Sequence, residues 1–328
     1  MQRLRRTRKN MLLRELVSET QIKKSGLIYP VFVRYGEGVC EEIPSMPGVF
    51  RYSADMLDTV AEQVAQAGIG GVMLFGIPHE KDETGSGARD ENGVVAQAIR
   101  KFRSFFQKTG KRFLIIADIC LCEYTSHGHC GVLACDDVDN DASLPLHAGA
   151  ALAAVRAGAD MVAPSSMMDG VVEAIRKTLD AEGYTDIPIM GYSAKFASAF
   201  YGPFRDAAES APKSGDRKSY QMDCRNNREA MRELAADEAE GADILMVKPA
   251  LCYLDIVKQA RERSDLPLAV YNVSGEYSMV KAAAAAGMID ERRIVKEILT
   301  SFFRAGADIV ITYHALDYVR WEREGEKR

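Results

Sequence analysis

Eight short runs of apolar residues recur along the chain with almost no polar alternation inside them. They are Leu27–Val33, Gly71–Ile77, Arg112–Ile119, Met161–Pro164, Ile187–Ser193, Ile244–Pro249, Leu268–Ser274 and Ile309–His314. Runs of this kind suit strands buried on both faces, as in a parallel sheet. Amphipathic helical patterns separate them, among them Ala54–Ala67, Val94–Gln107, Leu146–Ala157, Gly170–Ala181, Asn227–Glu240, Leu251–Ser264 and Arg292–Ala305. A short repeat punctuates the alternation: AGAD at 157–160, EGAD at 240–243, AGAD at 305–308 and a looser AGIG at 67–70. Each closes a helix and opens a strand, with glycine supplying the left-handed residue just past the helix end. Eight strand–helix units with short returns predict a (β/α)8 TIM barrel. An open doubly wound sheet would place a glycine-rich phosphate fingerprint after its first strand. Here Arg34–Gly38 follows, without GxGxxG.

Loop lengths orient the predicted barrel. The long polar segments Pro78–Gly93, Cys120–Ser143 and Tyr201–Asn226 all follow strands. They therefore gather on the C-terminal face, where barrel active sites are built. The expected organisation is an N-terminal arm over 1–26 and a barrel over 27–328, with a lid at about 197–222. The chain of 328 residues is 47% hydrophobic and 27% charged, an ordinary globular balance. No run approaches the roughly 18–20 apolar residues of a membrane span, and the N-terminus lacks an apolar signal core, so a cytoplasmic protein is expected. Charge is unevenly divided. Residues 1–14 hold six cations and no acid, leaving 36 cations against 47 acids in the remainder. An acidic body argues against broad nucleic-acid binding; the basic arm suits a transit peptide, a nucleic-acid tail or, the favoured reading, contact with a partner subunit.

Three features carry chemistry. Lys248 closes an apolar strand in LMVKPA, and Lys195 lies just past another in MGYSAKFASAF. One lysine at a barrel mouth also serves as a snorkelling or ion-paired residue. Two on adjacent strands depress each other's pKa and favour Schiff-base formation, which needs a neutral amine. Cys120, Cys122 and Cys130 form a Cys-x-Cys-x7-Cys cluster in CLCEYTSHGHC. Three thiolates leave a tetrahedral position open, as in a catalytic zinc site, although three reduced, non-ligating cysteines remain an alternative. His127 and His129 fill the fourth place or shape the loop. Asp118, two residues earlier, is a proton shuttle or a loop hydrogen-bonder. The loop YGPFRDAAESAPKSGDRKSYQ carries Arg205 and Arg217, whose forks suit a carboxylate beneath a lid. Ser274 and Tyr313 end strands seven and eight and present hydroxyls to the same face. A class I aldolase would need one lysine and no thiolate cluster. A catalytically dead scaffold would need neither lysine.

The motifs DICLCEYTSHGHCGVL, MGYSAKFASAFYGPFRDA, GDRKSYQMD, GADILMVKPALCYLDI and VSGEYSM together resemble the porphobilinogen synthase, or 5-aminolevulinate dehydratase, family. The resemblance runs from RLRRTRKN at 3–10 to the last strand. It implies a barrel enzyme that joins two molecules of 5-aminolevulinate into porphobilinogen with loss of two waters. On matching positions, Lys248 and Lys195 would bind the two substrates covalently, at a P site and an A site respectively. Arg205 and Arg217 would hold the A-site carboxylate, and Ser274 and Tyr313 the P-site carboxylate. Asp118 and Ser165 match polar active-site positions, and Tyr192 and Tyr271 pack around the substrates. Zinc is implied on Cys120, Cys122 and Cys130, and an allosteric magnesium on Glu233, fifteen residues before Lys248. Ser219 stands where some members carry a cysteine for a second zinc, so that site is not expected. The arm implies a homo-octamer built from dimers, with a smaller hexamer as the other assembly.

Overall fold

The computed structural model describes residues 1–135 and 137–326. Position 136 of the expected Cys120–Ser143 loop and positions 327–328 of the expected barrel lie outside the described residues. In chain order the strands are β1 (Leu27–Arg34), β2 (Cys40–Glu42), β3 (Phe50–Tyr52), β4 (Gly71–Ile77), β5 (Leu114–Ile119), β6 (Leu133–Ala134), β7 (Asp137–Val138), β8 (Met161–Pro164), β9 (Met190–Lys195), β10 (Ile244–Lys248), β11 (Leu268–Asn272) and β12 (Ile309–Thr312). The helices are α1 (Met11–Leu16), α2 (Leu57–Ala67), α3 (Val94–Thr109), α4 (Asn140–Ala157), α5 (Val171–Ala181), α6 (Gly202–Ala207), α7 (Asn227–Glu240), α8 (Leu254–Arg263), α9 (Ser274–Ala285), α10 (Glu291–Ala305) and α11 (Ala315–Glu326).

Eight of the strands pair in parallel in the order β8-β5-β4-β1-β12-β11-β10-β9. A parallel bridge between Val162 and Ile189 joins β8 to β9, so the (β/α)8 barrel is almost closed. Alternation along each strand sorts its side chains between two apolar layers. Phe32, Met73, Phe75, Ile116, Met246 and Ile311 fill the barrel, while Val31, Leu74, Ile115, Leu245 and Val310 face the helices. Both faces are buried, which is why the strand sequences read as unbroken apolar runs. Residues 1–26 contribute two short helical pieces and a 3-10 turn before β1. Leu4, Met11, Leu12 and Leu16 are exposed on this arm. Among the described residues no helix is long and apolar enough to cross a membrane.

Several boundaries differ from the sequence pattern. Lys195 is the last residue of β9 rather than a residue beyond it, because that strand starts later, at Met190. Ser274 does not end a strand. It opens α9, where Gly275 lets the helix start approach the lid: a Cβ there would lie 2.6 Å from the Phe200 carbonyl oxygen. Tyr313 stands one residue past β12. The segment 197–222 is not an open loop, since it contains α6 and a 3-10 turn at Ala199–Tyr201. The β2–β3 hairpin, only three residues a side, adds itself to the end of β1.

The repeated glycines behave as their spacing predicts. Gly158, Gly241 and Gly306 have φ of +108°, +100° and +121° and turn α4, α7 and α10 into the next strand. Gly241→Ala is expected to lower stability by about 1–2 kcal/mol, because a Cβ strains this backbone. The check is a lower denaturation midpoint with unchanged turnover.

Candidate active site

The barrel mouth is organised around two amines. Lys248 ends β10, Lys195 ends β9, and the two are direct partners in the sheet register. Both are buried at 5% exposure. The Lys248 ammonium position is enclosed by aromatic faces, 4.2 Å from the ring centre of Tyr271, 5.0 Å from Tyr192, 5.2 Å from Phe204 and 5.3 Å from Tyr201. Burial, and then the charge of Lys195, push the Lys248 pKa down to about 7. The shift favours the neutral amine near neutrality, whereas an ordinary lysine is almost wholly protonated there. Lys195 is held differently, donating to the Ser165 carbonyl.

Asp118 lies on β5 within this chamber. Its Oδ2 accepts the Ser165 hydroxyl at 2.9 Å, while buried Oδ1 has no protein partner. Loss of water, followed by the Glu123 charge, raises its pKa to about 7 against the pull of the two lysines. Tyr192 fills the floor beside it, with its hydroxyl 3.1 Å from the Met73 sulfur. Tyr271 and Tyr313 share a hydroxyl–hydroxyl contact of 3.1 Å. Ser274 accepts the Phe204 N–H at 2.9 Å and donates to the Phe200 carbonyl at 3.2 Å, tying the start of α9 to the lid.

The cysteines converge. Sγ atoms of Cys120, Cys122 and Cys130 all lie within 4.8 Å of one another, and all three residues are buried. The Cys120–Cys122 sulfur separation is 3.3 Å. Burial pushes the Cys120 thiol up, hydrogen bonding to Cys120 and Cys130 pushes Cys122 up, and bonds from the other two thiols hold Cys130 down. A soft, closely spaced trio of sulfurs fits a thiophilic cation such as zinc and not magnesium, which takes oxygen ligands. The histidines of this loop are engaged elsewhere. His129 contacts the Tyr220 hydroxyl at 3.1 Å and the Ser214 carbonyl at 3.0 Å, and His127 contacts the Glu83 carbonyl at 3.1 Å. Both shape the loop.

The segment 197–222, the expected lid, is anchored to the ends of β9 and β10. Phe196 and Met222 form a bridge at its base, Met222 N–H bonds the Lys195 carbonyl at 3.2 Å, and Phe196 N–H bonds the Lys248 carbonyl at 2.9 Å. Arg51 on β3 clamps the end of α6 through the carbonyls of Ala207 and Asp206, each at 2.8 Å. Arg205, half-buried, and Arg217, buried at 5%, belong to the lid, and the Nε of each has no protein acceptor. A half-buried and a buried guanidinium, each with a free Nε–H donor, suit an anion.

Glu233 is not part of this cluster. It lies on α7, in the outer helical layer, in a cavity of about 220 Å³ shared with Asp169, Asp237 and Glu240. Burial, then Asp169 and Glu229, raise its pKa. One further group of ligand-type side chains, Glu291, His314 and Asp317, already holds a cation of its own: the Lys281 ammonium is 2.6 Å from Glu291 and 3.3 Å from Asp317.

Sequence reasoning missed three buried polar side chains near the mouth. Gln221, in the lid, is 2% exposed with neither amide atom bonded to protein. Its place four residues after Arg217 on a polar loop was the available signal. Glu123 is 3% exposed and 3.3 Å from the Cys122 sulfur, and its adjacency to that cysteine was visible. Glu276, 1% exposed, gave no signal beyond its position near Ser274.

Known proteins resemble this chain over almost its whole length. The family profile described as delta-aminolevulinic acid dehydratase matches residues 1–321. The delta-aminolevulinic acid dehydratase of Halalkalibacterium halodurans is 52% identical over 98% of this chain and 97% of its own length. That of Synechococcus elongatus is 53% identical over 97% of this chain and 98% of its own. The crystal structure of the Toxoplasma gondii delta-aminolevulinic acid dehydratase (porphobilinogen synthase), in complex with its reaction product porphobilinogen, superposes with a TM-score of 0.95 at 46% identity. It covers 100% of this chain and 93% of that one. An aldolase, QR15, at 10% identity and a TM-score of 0.50, shares the fold alone. With the barrel, the paired lysines and matches over almost its entire length, the chain belongs to the delta-aminolevulinic acid dehydratase family.

Proposed function

We propose that the protein condenses two molecules of 5-aminolevulinate asymmetrically into porphobilinogen, releasing two waters, in tetrapyrrole biosynthesis. The observation that carries this reading is the register pairing of Lys248 with Lys195, two buried amines on adjacent strand ends under one lid. A single-substrate aldolase has use for one of them.

Lys248, its neutral form favoured by burial and by Lys195, attacks the ketone of one substrate and forms an imine with loss of water. Ser274 and the Tyr271–Tyr313 pair offer hydroxyls to that substrate's carboxylate. Lys195 engages the second substrate, whose carboxylate is taken by Arg205 and Arg217 from the lid. The lid excludes water and turns two encounters into a positioned reaction. Asp118, on β5 and bonded to Ser165, is the group to move a proton. Cys120, Cys122 and Cys130 would hold zinc, which when bound supplies Lewis-acid polarisation to a substrate oxygen or nitrogen. Glu233, among other carboxylates in the helical layer, is the candidate ligand for an allosteric magnesium. Cytoplasmic placement and a homo-octamer, its apolar and basic arms contacting neighbouring barrels, complete the reading.

The test is borohydride reduction with 5-aminolevulinate followed by peptide mapping. An adduct on Lys248 is expected, and none on folded protein would reject the mechanism. The amine also fixes a pH dependence. Because its pKa is lowered to about 7, protonation on acidification removes the nucleophile, so kcat/KM should fall about tenfold per unit well below pH 7. A profile flat from pH 5 to 8 would contradict this.

A further inference from the structure

We propose that Glu276 is a positioning residue that fixes the Lys248 loop to the helix start presenting Ser274, and so sets where the substrate's carboxylate sits relative to the imine-forming amine. This inference rests on the function proposed above.

Glu276 occupies the third position of α9 and is almost completely buried. Its Oε2 accepts the Val273 N–H at 3.0 Å and the Asn272 side-chain amide at 2.8 Å. Those two bonds close the first turn of the helix, a local capping duty. Oε1 does something a cap does not require. It accepts the Leu251 N–H at 2.8 Å, three residues past Lys248 on the neighbouring strand's exit. Asn272 extends the chain of bonds, since its Oδ1 accepts the Thr312 hydroxyl at 2.8 Å, and Thr312 Oγ1 accepts the His314 N–H at 3.2 Å. One carboxylate therefore connects the ends of β10, β11 and β12. These are the elements that deliver Lys248, Ser274 and Tyr313. A buried carboxyl group needs such partners, and losing one leaves a group unpaired on a second element.

The experiment compares ketones that do and do not carry a carboxylate. Wild type, Glu276→Gln and Glu276→Asp are treated with borohydride in the presence of 4-oxopentanoate or 2-pentanone, and the Lys248 adduct is quantified. Glutamine keeps the side-chain length with one acceptor fewer. Aspartate keeps an acid in the helix's first turn and falls one methylene short of Leu251, so it tests the cross-link if the glutamine variant does not fold. The expected result is that wild type prefers 4-oxopentanoate strongly and that the preference falls about tenfold or more in the variants, because the carboxylate no longer meets its hydroxyls. Ser274→Ala should lose preference in the same way, and combining it with Glu276→Asp should add little. Equal loss of both adducts, or an unchanged preference in a folded variant, would overturn the proposal. No Lys248 adduct in wild type would instead remove the function reading and this proposal with it.

Discussion

Lys248→Met is expected to lower kcat by about 10⁴-fold or more while leaving a folded protein at least as stable as the wild type. The lysine is surrounded by the rings of Tyr192, Tyr201, Phe204 and Tyr271, a setting in which an unbranched thioether fits better than a cation. Removing it also removes one of two like charges buried at adjacent strand ends, so the unfolding midpoint should rise or stay level. Activity should vanish for a chemical reason and not a structural one. Circular dichroism and unfolding curves establish the fold, and borohydride mapping should then show no adduct at position 248. Retention of a tenth of the wild-type turnover would sink the imine role assigned to this residue.

Stripping the metal from the protein is the second large effect, expected at roughly 10³-fold in kcat/KM, equivalent to about 4 kcal/mol of electrostatic stabilisation. A strong chelator should inactivate the wild type, zinc should restore it, and magnesium alone should not. Cys122→Ser replaces the middle sulfur of the trio by a harder, smaller atom, and should abolish stoichiometric zinc binding measured by elemental analysis. The inactive variant should not respond to added zinc at the concentration that rescues the stripped wild type. Full activity of metal-free protein would dispose of the catalytic metal, leaving three buried thiols. The buried Glu123 beside Cys122 makes the outcome informative, since burial and then the Cys130 charge raise its pKa and a bound cation would favour its ionised form.

The barrel was legible because parallel strands buried on two faces leave unbroken apolar runs, and because helix-ending glycines recur as AGAD. Lys248 was legible for the same reason: a charge that terminates such a run has nowhere to point but the mouth. The start of α9 was not. Ser274 follows the apolar run of β11 almost directly, and the helix beyond it ends in KAAAAAG at 281–287 without amphipathic contrast, so Ser274 read as a strand end. Glu276 was invisible because its decisive bond goes to Leu251, 25 residues away. Linear spacing gives no hint of a contact set by the lateral packing of two strand exits. The lid misled in another way. Its polar composition suggested a bare loop, yet Arg51 from a three-residue strand holds a short helix in it.

The left-handed glycines at the ends of α4, α7 and α10 all sit on the face opposite the lysines. Endurance and turnover are thus written into opposite ends of the same strands. Selection for heat tolerance can act on the returns between helices and strands, trimming loops or relieving backbone strain, without moving an atom that meets substrate. Selection on rate can rebuild the upper loops over a frame that does not feel the change. A chain divided in this way can follow its host into a hotter or colder habitat by altering one end alone.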